Sequence, residues 1–215
     1  MERATTRRPL GGETLSLQRV YRRLRYGDPI IVVSGLPRSG TSMTMRMLAA
    51  GGVPLVMDGI RAADEDNPNG YFEDERVKSL TQTPDKKWLH DARGKAIKII
   101  AALLENVPDT NNYKLLFMHR NLQEVLASQA KMLARRGEPA GPSDERLLEL
   151  FQKHLRSVLA VTQTRPCFEM CELEYKDVVA NPRPNAVRIQ EFLRLPLDVD
   201  AMAQAVDPNL FRNRR

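Results

Sequence analysis

Apolar positions fall along the chain in two alternating kinds of run. Ile30 to Val33 are four β-branched residues without a polar break, and Lys114 to Met118 (KLLFM) form a second apolar run. Both predict strands buried on both faces of a parallel sheet. Cys167 to Leu173 (CFEMCEL) alternates as a third strand. Between them the period lengthens to that of helices. Leu15, Leu17, Val20, Tyr21 and Leu24 share one helical stripe, with four arginines elsewhere. Asn121 and Glu124 form a capping-box-like start to a helix through Leu126, Met132 and Leu133. Ser143, with Asp144 and Glu145, starts another whose apolar face is Leu147, Leu148, Phe151, Leu155, Val158 and Leu159. Asn181-Pro182 breaks the chain before a helix through Val187, Ile189, Phe192 and Leu193. The alternation predicts an α/β fold, a central parallel sheet flanked by helices, in one domain over residues 29–215. Residues 1–28 are a basic, partly helical N-terminal segment.

The joint between the first strand and its helix carries the chemistry. Gly35 and Gly40 bracket a tight loop, and a helix begins directly after it. Backbone N–H groups of such a loop, with the positive end of the helix, bind an anion. The spacing is that of the nucleotide-binding P-loop GxxxxGK[ST], with Ser42 in the hydroxyl place but Thr41 where lysine belongs. The cation stands three residues earlier, at Arg38, whose fork can take two phosphate oxygens. The second strand ends at His119-Arg120 rather than at the aspartate that magnesium-dependent P-loop enzymes place there. Ser128 lies seven residues after Asn121 and returns to nearly the same helix face at about 3.6 residues per turn. Arg120 and Ser128 therefore form a second anion grip.

With those elements in place the chain resembles the sulfotransferases that use 3′-phosphoadenosine 5′-phosphosulfate (PAPS), in particular the bacterial branch with loops of the form GLPRSGTS. Gly35-Leu36-Pro37-Arg38-Ser39-Gly40-Thr41-Ser42 matches the loop that binds the 5′-phosphosulfate in that family. Arg120 and Ser128, in HRNLQEVLAS, match its 3′-phosphate pair at the family's spacing. The resemblance spans roughly residues 29 to 193. It implies a P-loop sulfotransferase fold, PAPS as co-substrate, no metal, and cofactor contacts from Gly35, Pro37, Arg38, Ser39, Gly40, Thr41, Ser42, Arg120 and Ser128. Lys98, in GKAIKII, falls where family members place a lysine at the bridging oxygen or the sulfuryl group; an exposed lysine on an amphipathic strand is the other reading.

Some family features are missing. Soluble members often carry Lys at the place of Arg38. The histidine base common in cytosolic members would fall at Ile100, and the glycine-rich closing segment is replaced by Phe211-Arg212-Asn213-Arg214-Arg215. The search for a base moves to the acidic stretch Asp58 to Asp74. Glu73 resembles the acid of the NPxGYxE segment of bacterial relatives and is the named candidate, with Asp58, Glu65 and His90 as alternatives.

Composition narrows the partners. At 215 residues, 42% hydrophobic and 28% charged, the chain is long enough for one full α/β core. Its net charge of +6 is scattered without interleaved aromatics, so no stacking platform for nucleic acid is visible. No apolar run has the form of a signal peptide or a membrane span, and a cytoplasmic location is expected. Cys167 and Cys171 have no neighbouring ligand at metal spacing and are expected as reduced core thiols. The expected acceptor is a small molecule, glycan, lipid or peptide bearing a hydroxyl or amine. A magnesium-dependent kinase and a non-catalytic nucleotide-binding protein are the alternative functions.

Overall fold

The structure is a computed structural model and describes residues 11–60, 70–135, 137 and 143–207. Five parallel strands, β1 (Ile30–Gly35), β2 (Leu55–Val56), β3 (Ala96–Lys98), β4 (Tyr113–His119) and β5 (Phe168–Glu174), form one sheet in the order β2-β3-β1-β4-β5. The helices are α1 (Gly11–Tyr26), α2 (Thr41–Ala50), α3 (Leu122–Arg135), α4 (Asp144–Thr164), α5 (Tyr175–Ala180), α6 (Pro182–Leu193) and α7 (Val199–Gln204). Three 3-10 helices, Glu75–Thr81, Lys87–Ala92 and Ala101–Asn106, fill the segments around β3. The expected strands and helices are present, with ends that differ by a few residues: β4 gains one residue at each end, whereas β5 begins at Phe168 rather than Cys167 and runs on to Glu174.

Strand alternation sorts the core into two layers. Ile31, Val33, Leu116, Met118 and Cys171 pack with Met45, Met47 and Leu48 of α2 and with α5 to α7 on one face. Ile30, Val32, Leu115, Phe117 and Phe168 pack with Val158 of α4 and the 3-10 helices on the other. Every residue of β1 is buried, because β1 is the central strand and is covered on both sides. The chain leaves β1 for the β2-β3 edge and then crosses to β4 on its other side. This reversal opens a crevice at the carboxyl ends of β1 and β4, the place where open α/β sheets bind ligands.

Two elements depart from the simplest expectation. Glu124 does not close a capping box: Asn121 Oδ1 accepts from the backbone N–H of Gln123 at 2.9 Å and Glu124 at 3.4 Å, while the Glu124 carboxylate turns to Arg120 at 3.0 Å. Both side chains of that pair are nearly fully buried, and a buried guanidinium needs a counter-charge more than a helix end needs a second cap. In α1 the side that carries Arg22 faces the protein. Arg22 donates to the carbonyls of Phe168 (2.7 Å) and Cys167 (2.9 Å) and to Asn112 Oδ1 (3.0 Å), satisfying backbone oxygens at the amino ends of β4 and β5.

Candidate active site

The loop between β1 and α2 is held by close contacts that admit no side chain at its two glycines. A Cβ at Gly35 would stand 2.5 Å from Ser39 Oγ and 2.6 Å from the Met118 carbonyl oxygen. At Gly40, where φ is +105°, it would stand 2.5 Å from Cδ2 of Tyr175. Arg38 itself has φ +69°, a left-handed conformation costing a non-glycine residue of order 1–3 kcal/mol. Ser39 Oγ is buried with no hydrogen-bond partner among the described residues. An unsatisfied hydroxyl, a strained arginine and the positive amino end of α2 together make a cradle suited to an anionic ligand.

Arg38, Ser128 and Arg120 converge. Arg38 Nε donates to Ser128 Oγ at 3.0 Å, so the loop arginine reaches across to α3. Arg120 Nη1 donates to the carbonyl of Arg38 at 2.9 Å, and its Cζ lies 4.3 Å from the centre of the Tyr175 ring. Tyr175 thus packs against Gly40 and Arg120 at once. Burial pushes its phenol pKa up, and the nearby Arg120 pulls the other way. The two anion grips read from sequence as separate are parts of one hydrogen-bonded cluster.

Lys98 is the second centre. It is buried at the carboxyl end of β3, and its Nζ donates to the carbonyl of Tyr71 (2.7 Å), to Glu73 Oε1 (2.9 Å) and to Ser42 Oγ (3.4 Å). The exposed-lysine reading is therefore wrong. A buried ammonium on an inner strand is tolerated because a carboxylate, a carbonyl and a hydroxyl meet it. Lys98 links the first turn of α2 to the segment that carries Glu73. Beside them, Met57, Asp58, Tyr71, Phe72 and Glu73 line a pocket of about 190 Å³.

The other named residues fall into place around this pair of centres. Pro37 and Thr41 lie in the loop and at the first position of α2. Asp58 is exposed, and its carboxylate accepts from the backbone N–H groups of Ile60 (2.9 Å) and Glu75 (2.6 Å), which hold its pKa below the ordinary aspartate value. His90 is exposed on the 3-10 helix Lys87–Ala92. Glu65, Arg212, Arg214 and Arg215 lie outside the described residues. Sequence reasoning missed Tyr175, whose only local signal is its place directly after β5. It also missed the contact of His119 Nε2 with Glu172 Oε2 at 2.7 Å. That pair lies on the Phe117 face of the sheet, whereas Lys98, in register with Val33, lies on the α2 face. Among the described residues no group of His, Cys, Asp and Glu is arranged to hold a metal.

Comparison with known proteins identifies the lineage. The family model described as "Sulfotransferase family" matches residues 71–199, which include Glu73, Lys98, Arg120 and Ser128. Among solved structures, the sulfotransferase domain from the curacin biosynthetic pathway is similar at TM-score 0.51 and 16% identity, over 84% of this chain and 78% of that one. A sulfotransferase from Alicyclobacillus acidocaldarius scores 0.48 at 14% identity, over 85% and 87% of the two chains. A sugar kinase from Janibacter scores 0.40 at 14% identity, over 85% and 98%. No curated protein matches. The first of these shares the fold, and the family match covers more than half of the chain, so this protein belongs to the sulfotransferase family.

Proposed function

We propose that the protein transfers a sulfuryl group from PAPS to a hydroxyl or amine acceptor by in-line displacement, in the cytoplasm. One observation carries the reading: Lys98 touches Ser42 at the phosphate loop and Glu73 beside the pocket, joining a donor side to an acceptor side through one buried cation. PAPS, when bound, supplies an activated sulfuryl group with a phosphate as leaving group. The loop from Gly35 to Ser42 and Arg38 hold the 5′ end, and Arg120 with Ser128 hold the 3′-phosphate. Glu73 is the base: Lys98 meets its carboxylate and orients it beside the pocket, where it takes the acceptor's proton. The Asp58 carboxylate is instead turned to the backbone N–H groups of Ile60 and Glu75. Lys98 would meet the negative charge that grows on the bridging oxygen, and a fixed cation there favours the transition state over the ground state. Small-molecule, glycan, lipid and peptide acceptors all meet the chemical requirement.

Calorimetry with adenosine 3′,5′-bisphosphate against ATP plus magnesium tests the reading. The bisphosphate is expected to bind in excess EDTA and more tightly than ATP, because the strand end after Met118 offers His119 and Arg120 in place of a metal-binding aspartate. Binding lost in EDTA and restored by magnesium would replace this reading with the kinase, whose metal bridges the β and γ phosphates.

A further inference from the structure

Helix α1 presents an apolar strip to solvent. Leu17 is 71% exposed, Val20 54%, Tyr21 61% and Leu24 83%, the large hydrophobics at positions i, i+3, i+4 and i+7 of one helix. The strip cannot turn inward. The opposite side of α1 is fastened to the amino ends of β4 and β5 through Arg22, and half-buried Tyr26 packs on the core beneath. At about 3.6 residues per turn, Arg23 and Arg25 fall on the two margins of the strip. Both are exposed. Arg23 meets Asp28 at 2.8 Å, a solvent-facing pair of the kind worth little.

We propose that this strip docks α1 on an anionic lipid surface, with the leucines and Tyr21 entering the headgroup boundary and Arg23 and Arg25 meeting phosphate groups at its level. An apolar face edged by guanidinium groups is the composition of helices that lie in a membrane interface, since arginine stems can lie on the apolar layer while their heads stay among charges. The charge balance is one-sided: residues 1–26 hold seven arginines against two glutamates, Glu2 and Glu13, and four of those arginines lie in α1. That balance favours lipid over a second copy of the chain, which would set like-charged margins against one another. Four side chains also fall well short of the roughly 20–30 residues a side of a stable protein interface. Docking leaves the candidate active site open. Arg22 is fixed at the amino ends of β4 and β5, whereas the phosphate loop and Arg120 lie at the carboxyl ends, about 20 Å away across a strand of this length. The inference is independent of the reaction assigned to that site.

Co-sedimentation of the full chain with vesicles of phosphatidylcholine containing phosphatidylserine, and with phosphatidylcholine alone, tests it. Binding is expected to the first and not the second, with release in high salt. Leu17→Ser/Leu24→Ser and, separately, Arg23→Glu/Arg25→Glu are each expected to lower partitioning about tenfold or more. Both pairs face solvent, so circular dichroism and the melting temperature should stay unchanged. No binding to the anionic vesicles, equal binding to both kinds, or binding indifferent to both double variants would overturn the proposal. So would a concentration-dependent dimer dispersed by Leu17→Ser/Leu24→Ser, which would give the strip to a second copy of the chain.

Discussion

Lys98 and Glu73 meet at 2.9 Å with only 7% of the lysine side chain exposed, so each fixes the other's position. Lys98→Ala is expected to slow single-turnover transfer by more than it weakens binding of adenosine 3′,5′-bisphosphate, since in the proposed reaction the ammonium meets charge that develops only in the transition state. Glu73→Gln keeps a hydrogen-bond acceptor for Lys98 but removes the proposed base. It should abolish most turnover, leave nucleotide affinity within about twofold, and cost roughly 1.5–3 kcal/mol of stability for the weakened charge-assisted contact. Equal losses of rate and nucleotide affinity in both variants would count against these roles.

Arg120→Ala should destabilise the fold by about 3–5 kcal/mol, because the Glu124 carboxylate would remain buried without its partner. The double variant Arg120→Ala/Glu124→Ala should recover much of that loss in a denaturant titration. Measured on the double variant, affinity for adenosine 3′,5′-bisphosphate should fall by roughly 1.5–3 kcal/mol while affinity for adenosine 5′-phosphate changes little. Equal losses for the two nucleotides would remove Arg120 from the 3′-phosphate.

Gly40→Ala and Gly52→Ala separate steric exclusion from backbone strain. Both glycines have positive φ, +105° and +91°, but nothing lies within 4 Å of a Cβ at Gly52, whereas one at Gly40 would strike the Tyr175 ring. Thermal melts should show a loss of roughly 1 kcal/mol or so at Gly52 and a larger one at Gly40, and calorimetry should show nucleotide binding lost at Gly40 alone. Similar behaviour of the two would mean that Tyr175 yields to the added methyl.

Burial raises the thiol pKa of Cys167 to about 11 and that of Cys171 upward as well, from an ordinary value of 9.0. The folded protein therefore keeps protons that the unfolded chain has released. Stability contributed by these neutral thiols is complete below pH 9.0 and falls as pH rises toward about 11, where Cys167 ionises in the fold. Denaturant midpoints should decline over that range, and the decline should shrink in Cys167→Ala measured against its own neutral-pH stability. An unchanged pH slope in that variant would assign the decline to other groups.

Much of the fold was legible because its signals are local. Four β-branched residues in a row, a Gly-bounded loop and an apolar-periodic segment can be arranged in few ways, and β1, the loop and α2 follow the reading closely. The spacing of Arg120 and Ser128 was legible for the same reason, being set by one helix. What crosses between elements was not. Nothing near Arg38 in the chain says that its guanidinium reaches Ser128, because that contact depends on how β1 and β4 are paired. Lys98 reads equally as an exposed or an inner residue of a short strand, and only the return of Tyr71 and Glu73 over the strand end decides it. In α1 the stripe was visible but not its direction, which depends on the carbonyls that Arg22 satisfies on strands far away in sequence.

The link from Arg120 to the carbonyl of Arg38, closed by Arg38 on Ser128, has a thermodynamic meaning as well as a geometric one. A group that settles Arg120 also settles the backbone of the loop, and a group held by the loop shifts Arg38 against α3. Occupancy at one end then alters affinity at the other, and by reciprocity the factor is the same in both directions. A ligand with an anion at each end would be held with an affinity that its two halves, offered separately, do not predict, and losing hold of one end would hasten release of the other.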